Sequence, residues 1–452
     1  MTRLPTAALA ATLLGVAPQL AIAAEGDTFA GPLIGPVPVE FLLFAIVLAG
    51  VALFHNFTLP IALGGAIVIA TYKIALSPFK TGSGVAGFVQ HLAYEWVILV
   101  NLLLLLLGFA LLAKLFEESE VPAVLPRWLP DDWKGCFVLL LLVFVLSSFL
   151  DNIAAAMIGG AIAHTVFRGK VHIGYLAAIV AASNAGGAGS VVGDTTTTMM
   201  WIAGISPIEV LEAFIASSVA VVICGIPAAL QQQRYSPIQK DESATAKIDW
   251  PRVWIVAFIL VAAVVVNVLI NTRFNAISDA FPFLGAAVWA ALLLTAWLRR
   301  PDWSLLPGAF KGSVFLLSLV LCASMMPVEK LPAASWPSAL GLGFLSAVFD
   351  NIPLTALAIK QGGYDWGFLA YAVGFGGSMI WFGSSAGVAL SNMYPEARSV
   401  GLWLRHGWYV AVAYVVGFFV MLAIIGFHPG STPRGSAERA QPPAIAALQP
   451  PG

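Results

Sequence analysis

Long apolar runs, many close to the roughly 20 residues that span a bilayer, alternate with short polar segments along most of the chain. They begin near Val37 and end near Phe427, and one longer polar stretch divides them. The pattern predicts an all-α polytopic membrane protein with a first transmembrane half at residues 37–230, a cytoplasmic linker at 231–252 and a second half at 253–428. Composition agrees, because 60% of the 452 residues are hydrophobic and 10% are charged, against roughly 25% charged residues in soluble proteins.

One apolar stretch in each half is interrupted by an Asp-Asn pair, Asp151-Asn152 and Asp350-Asn351. The segments on either side of Asp151 are each too short for a comfortable span. Basic residues flank both outer ends, so the positive-inside rule puts both ends on one face of the membrane. We therefore predict a re-entrant helical hairpin with the Asp-Asn pair at its buried tip. The charges around the second pair predict a hairpin opening to the opposite face, which indicates an inverted-topology repeat.

A second interruption follows each hairpin. In the first half, the glycine- and serine-rich stretch 183–190 is expected to break a spanning helix, whose second part restarts near Asp194. In the second half, the stretches 374–378 and 383–387 predict the matching break, which carries no carboxylate. Each repeat is thus expected to hold a re-entrant hairpin and a broken transmembrane helix, with the site asymmetric between the halves.

Carboxylates inside a membrane are costly unless they are paired, solvated or protonated, so these positions are candidate functional residues. The aspartates would bind a cation or a proton, while the neighbouring Asn side chains would serve as neutral ligands or caps. Helix capping alone is the structural alternative for the hairpin tips, and bonding of the Thr hydroxyls to their own helix is the alternative at the break. The candidate ion- or substrate-binding residues are Asp151, Asn152, Ser183, Asn184, Asp194, Thr195, Thr196, Asp350, Asn351, Ser384 and Ser385.

The charge of the expected cargo follows from what these segments contain. The sequence places no Lys or Arg at either hairpin tip or either break. Three carboxylates without a fixed positive charge suit a cation, and oxygen ligands suit a hard one such as sodium. The sodium ligands predicted are Asp151, Asp194, Thr195 and Asp350. Helix N-termini and co-bound cations can also hold an anion, so an anion carrier remains the alternative.

The remaining composition narrows the class of protein. No basic stripe suggests nucleic-acid binding, and the three cysteines lie singly in apolar segments without metal-ligand spacing. We expect no enzymatic activity and no cofactor apart from the transported cation and protons.

Residues 1–24 read as a signal peptide, followed by a periplasmic segment at 25–36, and residues 429–452 read as a disordered tail. A bacterial inner-membrane location with a periplasmic mature N-terminus follows.

Several motifs resemble those of NhaD-type sodium/proton antiporters. These are the stretches 183–187, 193–197 with Met199 and Trp201, 349–354, 376–378 and 383–388. The resemblance covers most of residues 37–427 and belongs to the ion transporter superfamily, which also includes citrate, dicarboxylate and arsenite carriers. The tip residue Ala154 departs from it, because proline is usual there. The long run from Leu129 to Lys134 is also unfamiliar.

The resemblance implies a scaffold-and-transport fold, often dimeric, that exposes one site alternately to the two faces. The expected function is sodium or lithium exchange for protons, in which protons and the cation compete for the same carboxylate oxygens. The alternative is a secondary carrier for citrate, a dicarboxylate or arsenite, with cations bound at the same aspartates. A passive channel or an intramembrane enzyme is disfavoured by the inverted repeat.

Overall fold

The computed structural model describes residues 31–54, 57–124, 129–239, 247–274, 277 and 280–433. Within them the fold is helical apart from one short ribbon, in which β1 (Leu33–Ile34) pairs antiparallel with β2 (Val37–Pro38). The predicted signal peptide (1–24), most of the predicted N-terminal segment and almost all of the predicted tail lie outside the described residues. So does the middle of the predicted linker.

The first half of the described chain is a series of ten helices that ends at Tyr235, five residues beyond the predicted end of that half at 230. They are α1 (Val39–Leu53), α2 (Thr58–Leu76), α3 (Gly84–Glu117), α4 (Val121–Val124), α5 (Trp133–Ser147), α6 (Asn152–Val166), α7 (Ile173–Ala188), α8 (Thr195–Ile202), α9 (Pro207–Leu211) and α10 (Ala213–Tyr235).

The second half starts at Trp250, two residues before the predicted linker ends, and repeats the plan without a counterpart of every short helix. Its helices are α11 (Trp250–Arg273), α12 (Phe283–Thr295), α13 (Leu306–Ser324), α14 (Trp336–Ser346), α15 (Asn351–Gln361), α16 (Trp366–Gly376), α17 (Ser385–Met393), α18 (Val400–His406) and α19 (Trp408–Ile425). Across the described chain, six helical stretches are long and apolar enough to cross a membrane.

Both predicted re-entrant hairpins are present. Helices α5 and α6 have 15 residues each, or about 22 Å at 1.5 Å per residue, and they meet at Asp151. Helices α14 and α15 have 11 residues each, or about 16 Å, and meet at Asp350. Both lengths fall short of the roughly 30 Å hydrocarbon core of a bilayer, so each pair enters the membrane and turns back. The sequence prediction of an all-α polytopic membrane protein is confirmed, and two helical hairpins lie where the sequence placed them.

The helices divide into two packed groups. The core unit consists of α5–α10 and α14–α19, in which α5 packs on α7 and α14 packs on α16 in the same way. The hairpins also cross between the halves, because α15 packs against α8 and α17 packs against α6. The frame consists of α1–α3 and α11–α13, with α13 lying against α2 and α3. The two groups meet mainly where α13 contacts α15 and where α3 contacts α8.

The break in the first half lies later than the sequence suggested. Helix α7 remains regular through Ala188, and the chain is non-helical only from Gly189 to Asp194. The prediction was therefore wrong for residues 183–188, whereas residues 189–190 and the restart near Asp194 agree with it. Tertiary packing outweighs the weak helix propensity of glycine here, because a Cβ on Gly186 would lie 2.0 Å from the Phe144 carbonyl oxygen. The glycines serve close helix approach.

Candidate functional site

The aspartates at the two hairpin tips adopt the same geometry. Asp151 accepts a hydrogen bond from the backbone N–H of Ile153 at 2.9 Å, and Asp350 accepts one from that of Ile352 at 3.0 Å. Both side chains therefore cap the helix that follows, which satisfies a backbone donor inside the membrane. Each cap uses one carboxylate oxygen. The second oxygen of Asp350 accepts a hydrogen bond from the Ser385 hydroxyl at 3.2 Å.

Asp194 occupies the break of the first half and is only 3% exposed. One of its oxygens caps α8 by accepting from the backbone N–H of Thr196 at 3.0 Å. The other accepts from the side-chain amide of Asn152 at 2.9 Å. The hairpin tip and the broken helix of the first half are thus joined directly, through a hydrogen bond to a carboxylate.

Asn184 links this pair to the second half. Its carbonyl oxygen accepts from the Asn152 amide at 3.1 Å. Its own amide lies 2.9 Å from the Ser378 hydroxyl and 3.0 Å from that of Ser384. Asn184 is fully buried and uses both ends of its amide, so it positions polar groups from both halves.

A small cavity of about 10 Å³ lies beside these residues. Its polar lining comes from Asp151, Asp194, Thr195 and Thr198, while α3 and Val192 supply an apolar wall. None of the described residues that line it is basic. Asp350 lies beyond this lining, although its charge interacts electrostatically with that of Asp194. Two of the three carboxylates share one cavity, and the third interacts with Asp194 from the other hairpin.

The two halves share a backbone plan around the breaks. A Cβ on Gly187 would lie 2.8 Å from the carbonyl oxygen of Gly193, and a Cβ on Gly377 would lie 2.7 Å from that of Gly383. Such close approach leaves room only for glycine, so the break geometry itself requires these residues. The chain forms the same turn twice.

The side chains on this shared plan differ. Ser384 caps α17 through the backbone N–H of Gly387 at 3.3 Å, in the place that Asp194 has in the first half. Gly374 occupies the position equivalent to Asn184, where a Cβ would lie 3.1 Å from that of Ala188. The second half therefore lacks both the carboxylate of Asp194 and the amide of Asn184, so the asymmetry is larger than the sequence predicted.

The other predicted site residues have mixed surroundings. The Ser183 hydroxyl donates to the carbonyl of Val180 in its own helix at 2.9 Å, outside the cavity lining. Thr196 and Asn351 are buried at the starts of α8 and α15. The predicted set included neither Thr198, which lines the cavity, nor Ser378. Thr198 lies one helical turn after Thr195, so the 3.6-residue period was the signal that could have identified it.

The Thr197 and Thr198 hydroxyls bond to backbone carbonyls, whereas the buried Thr196 hydroxyl has no hydrogen-bond partner among the described residues. The Thr198 hydroxyl lies 2.9 Å from the carbonyl oxygen of Asp194 and 3.0 Å from that of Val191. The Thr197 hydroxyl donates to the Ser190 carbonyl at 2.6 Å. These bonds use the hydroxyl hydrogens and leave oxygen lone pairs, which can bind a cation.

The sequence model of the citrate transporter family (CitMHS) matches residues 61–376, well over half of the chain and all of the first-half site. The chain belongs to this citrate transporter family. It is also 27% identical over 326 residues to sodium/proton antiporter 1 of Arabidopsis thaliana, an alignment that covers 63% of this chain and 54% of that protein. The chain thus matches only about half the length of that relative.

Bacterial relatives match over more of their length. The Na⁺/H⁺ antiporter NhaD of Halomonas elongata is 26% identical over 389 residues, with 72% of this chain and 75% of that protein covered. NhaD of Vibrio parahaemolyticus is 27% identical over 348 residues, with 64% and 82% covered. The predicted resemblance to NhaD-type members of the ion transporter superfamily is confirmed, and the chain is a membrane transporter by family.

Proposed function

We propose that the protein exchanges sodium or lithium for protons across the membrane by alternating access. The observation that carries this proposal is a cavity lined by Asp151, Asp194, Thr195 and Thr198, with no basic residue among the described lining. Carboxylates and neutral oxygens are the ligands that hard cations prefer. The similarity to proteins named as sodium/proton antiporters supports the same conclusion.

The mechanism is competition for the same oxygens. Two carboxylates in one poorly hydrated cavity repel each other, and this repulsion is relieved when either a cation or a proton binds. Asp350 adds a third negative charge, which interacts with Asp194 across the two halves. The loaded site can cross in either form, so a proton gradient drives the cation in the opposite direction.

Each residue of the network has a separate task in this scheme. Asp151 and Asp194 bind the cation or the proton, and Thr195 and Thr198 complete the oxygen set. Asn152 orients the Asp194 carboxylate through its 2.9 Å hydrogen bond. Asn184 holds Asn152 against the second half, so the site forms only when the two halves are in register.

The family description favours one second candidate, the transport of citrate or another small anion with cations bound at the same aspartates. An anion would need positive charge or helix N-termini near the site. The N-termini of α6, α8, α15 and α17 meet here, but aspartates cap the first three. Those carboxylates oppose an anion unless a cation is already bound, which makes the cation the primary cargo.

We further propose the setting of this activity. The protein works in the bacterial inner membrane after removal of a signal peptide at 1–24, with its mature N-terminus in the periplasm. Two copies form a homodimer, as the resemblance to this transporter class implies. Protease protection of tags on each terminus in spheroplasts measures the orientation, and cross-linking of the purified protein in detergent measures the dimer.

The function is tested in proteoliposomes that contain a pH-sensitive dye. A pH gradient is imposed, and sodium, lithium, potassium or citrate is then added outside. Recovery of the dye signal with sodium or lithium alone is the expected result, and Asp194→Asn should abolish it. A response that requires citrate or another anion would instead make the protein an anion carrier, with the aspartates as its coupling-ion ligands.

A further inference from the structure

An ion pair outside the cavity lining joins the core unit to the frame. The ammonium group of Lys360, in the last turn of α15, contacts the carboxylate of Glu95 on α3. The Glu95 side chain is 3% exposed and that of Lys360 is 13% exposed. The same ammonium group lies 5.4 Å from the centre of the Tyr94 ring, which adds a cation–π contact.

Because the ion pair is buried, each charge needs the other to offset its removal from water. Separating two buried, paired charges is strongly unfavourable unless each reaches water or a new partner. His91, one turn before Glu95 on α3, interacts electrostatically with both Glu95 and Lys360. Its side chain is within hydrogen-bond distance of Ser324 on α13, at 3.0 Å. The frame side of the contact is therefore fixed by a second polar link within the frame.

Both partners are connected to the ion site through rigid helices. Lys360 lies ten residues after Asp350, so α15 places the tip carboxylate and the ammonium group about 15 Å apart along one helix. On α3, Glu95 is followed at helical spacing by the residues that line the cavity. These lining residues on α3 are Leu102, Leu105, Leu106 and Phe109.

We propose that the Glu95–Lys360 pair is an interdomain latch that holds the second hairpin of the core unit against frame helix α3 in this conformation. The inference rests on the proposed alternating access. When the core unit moves relative to the frame, α15 carries Lys360 away from Glu95, so the pair must open in every transport cycle. The pair sets which face of the membrane the ion site meets, and it does not bind the transported ion.

A reversible cross-link tests the latch. Glu95→Cys and Lys360→Cys are combined in a background whose three native cysteines, all buried, are replaced by alanine. A short, reducible, bifunctional thiol reagent then ties the two positions. Exchange should fall at least about tenfold on cross-linking and return on reduction, because the motion that gates transport is blocked.

The matched control ties two positions within the frame. His91→Cys combined with Ser324→Cys joins α3 to α13 close to the proposed latch, and both helices belong to the same group. Cross-linking this pair should leave at least about half of the exchange rate. Undiminished exchange after complete cross-linking of positions 95 and 360 would overturn the latch.

Charge reversal covers the case in which the cysteine pair is inactive before cross-linking. Glu95→Lys or Lys360→Glu alone places like charges together and should reduce exchange more than about tenfold, while the double reversal should recover to within about threefold of the wild type. No recovery in the double variant would count against the latch.

A measurement that does not depend on transport distinguishes failure of the latch from failure of the proposed antiport function. Val192→Cys lines the cavity, and its labelling by an impermeant thiol reagent from each face reports which face the site meets. Lys360→Gln should raise labelling severalfold from the membrane face at which the wild type is labelled less. A rise in labelling in a protein that moves no cations would retain the latch and reject the antiporter. Exchange by the wild type with unchanged labelling would retain the antiporter and reject the latch.

Discussion

The buried Asn184 amide offers the sharpest test of the site. Its replacement by alanine removes three contacts, to Asn152 at 3.1 Å, to Ser378 at 2.9 Å and to Ser384 at 3.0 Å. All four residues have low exposure, so water cannot take over these bonds without entering the core. No charge is removed, and the carboxylates stay in place.

The expected loss follows from the hydrogen bonds. Each contributes about 1 kcal/mol net, so three give about 3 kcal/mol if nothing relaxes. The two serine hydroxyls can rotate toward backbone carbonyls and recover part of this loss, which leaves about 1.5–3 kcal/mol. If all of this loss falls on the ion-binding arrangement of the site, Asn184→Ala should raise the sodium concentration for half-maximal exchange by roughly 10- to 150-fold, at about 1.4 kcal/mol per factor of ten.

The assay is sodium-driven proton movement in proteoliposomes at a fixed internal pH, with sodium varied over several decades. Ser391→Ala is the matched control, because Ser391 is 1% exposed and its hydroxyl donates to the Val388 carbonyl of its own helix at 2.8 Å. Normal yield and a single size-exclusion peak show that each variant folds. A half-maximal concentration for Asn184→Ala within about threefold of the wild type would refute the positioning role.

The other predictions concern charge, packing and pH. Replacement of Asp151, Asp194 or Asp350 by Asn should abolish exchange, which is measured by dye recovery. Each variant should still insert into the membrane, which is measured by membrane yield. Gly186→Ala should lower the melting temperature sharply, because its Cβ would meet a carbonyl oxygen at 2.0 Å, whereas Gly401→Ala has open space and should not. Arg299 hydrogen bonds, with further help from Arg252, lower the pKa of Asp249 to about 2. Its stabilisation should therefore persist above about pH 4 and disappear as the pH falls toward 2. Melting curves of Asp249→Asn against the wild type should converge over that range.

The sequence was most informative where a local rule applied. Intramembrane carboxylates are costly, so Asp151, Asp194 and Asp350 could be singled out as candidate site residues from their apolar surroundings alone. The hairpins followed from segment length and the placement of basic residues. Both inferences depend only on neighbours along the chain and on the bilayer as a solvent.

The sequence was least informative where the result depends on which side chains face each other. Asn184 and Ser378 are almost 200 residues apart, and only the crossing of α7 with the second half brings them together. The glycines near residue 186 pointed to a helix break by propensity, but tertiary packing keeps that segment helical. Glu95 and Lys360 lie on different helices, 265 residues apart, so no local rule could have paired them.

The asymmetry between the halves has a steric cause. The backbone of both breaks is the same, yet Asn184 lies where the second half has Gly374, which packs against Ala188 of α7. A second amide at that position would have to occupy the space where α7 and α16 cross. The duplicated fold therefore has room for one buried amide at the crossing, and the half that supplies it also supplies Asp194. The second half contributes Asp350 and the Ser378 and Ser384 hydroxyls, so one composite site forms from two unequal parts.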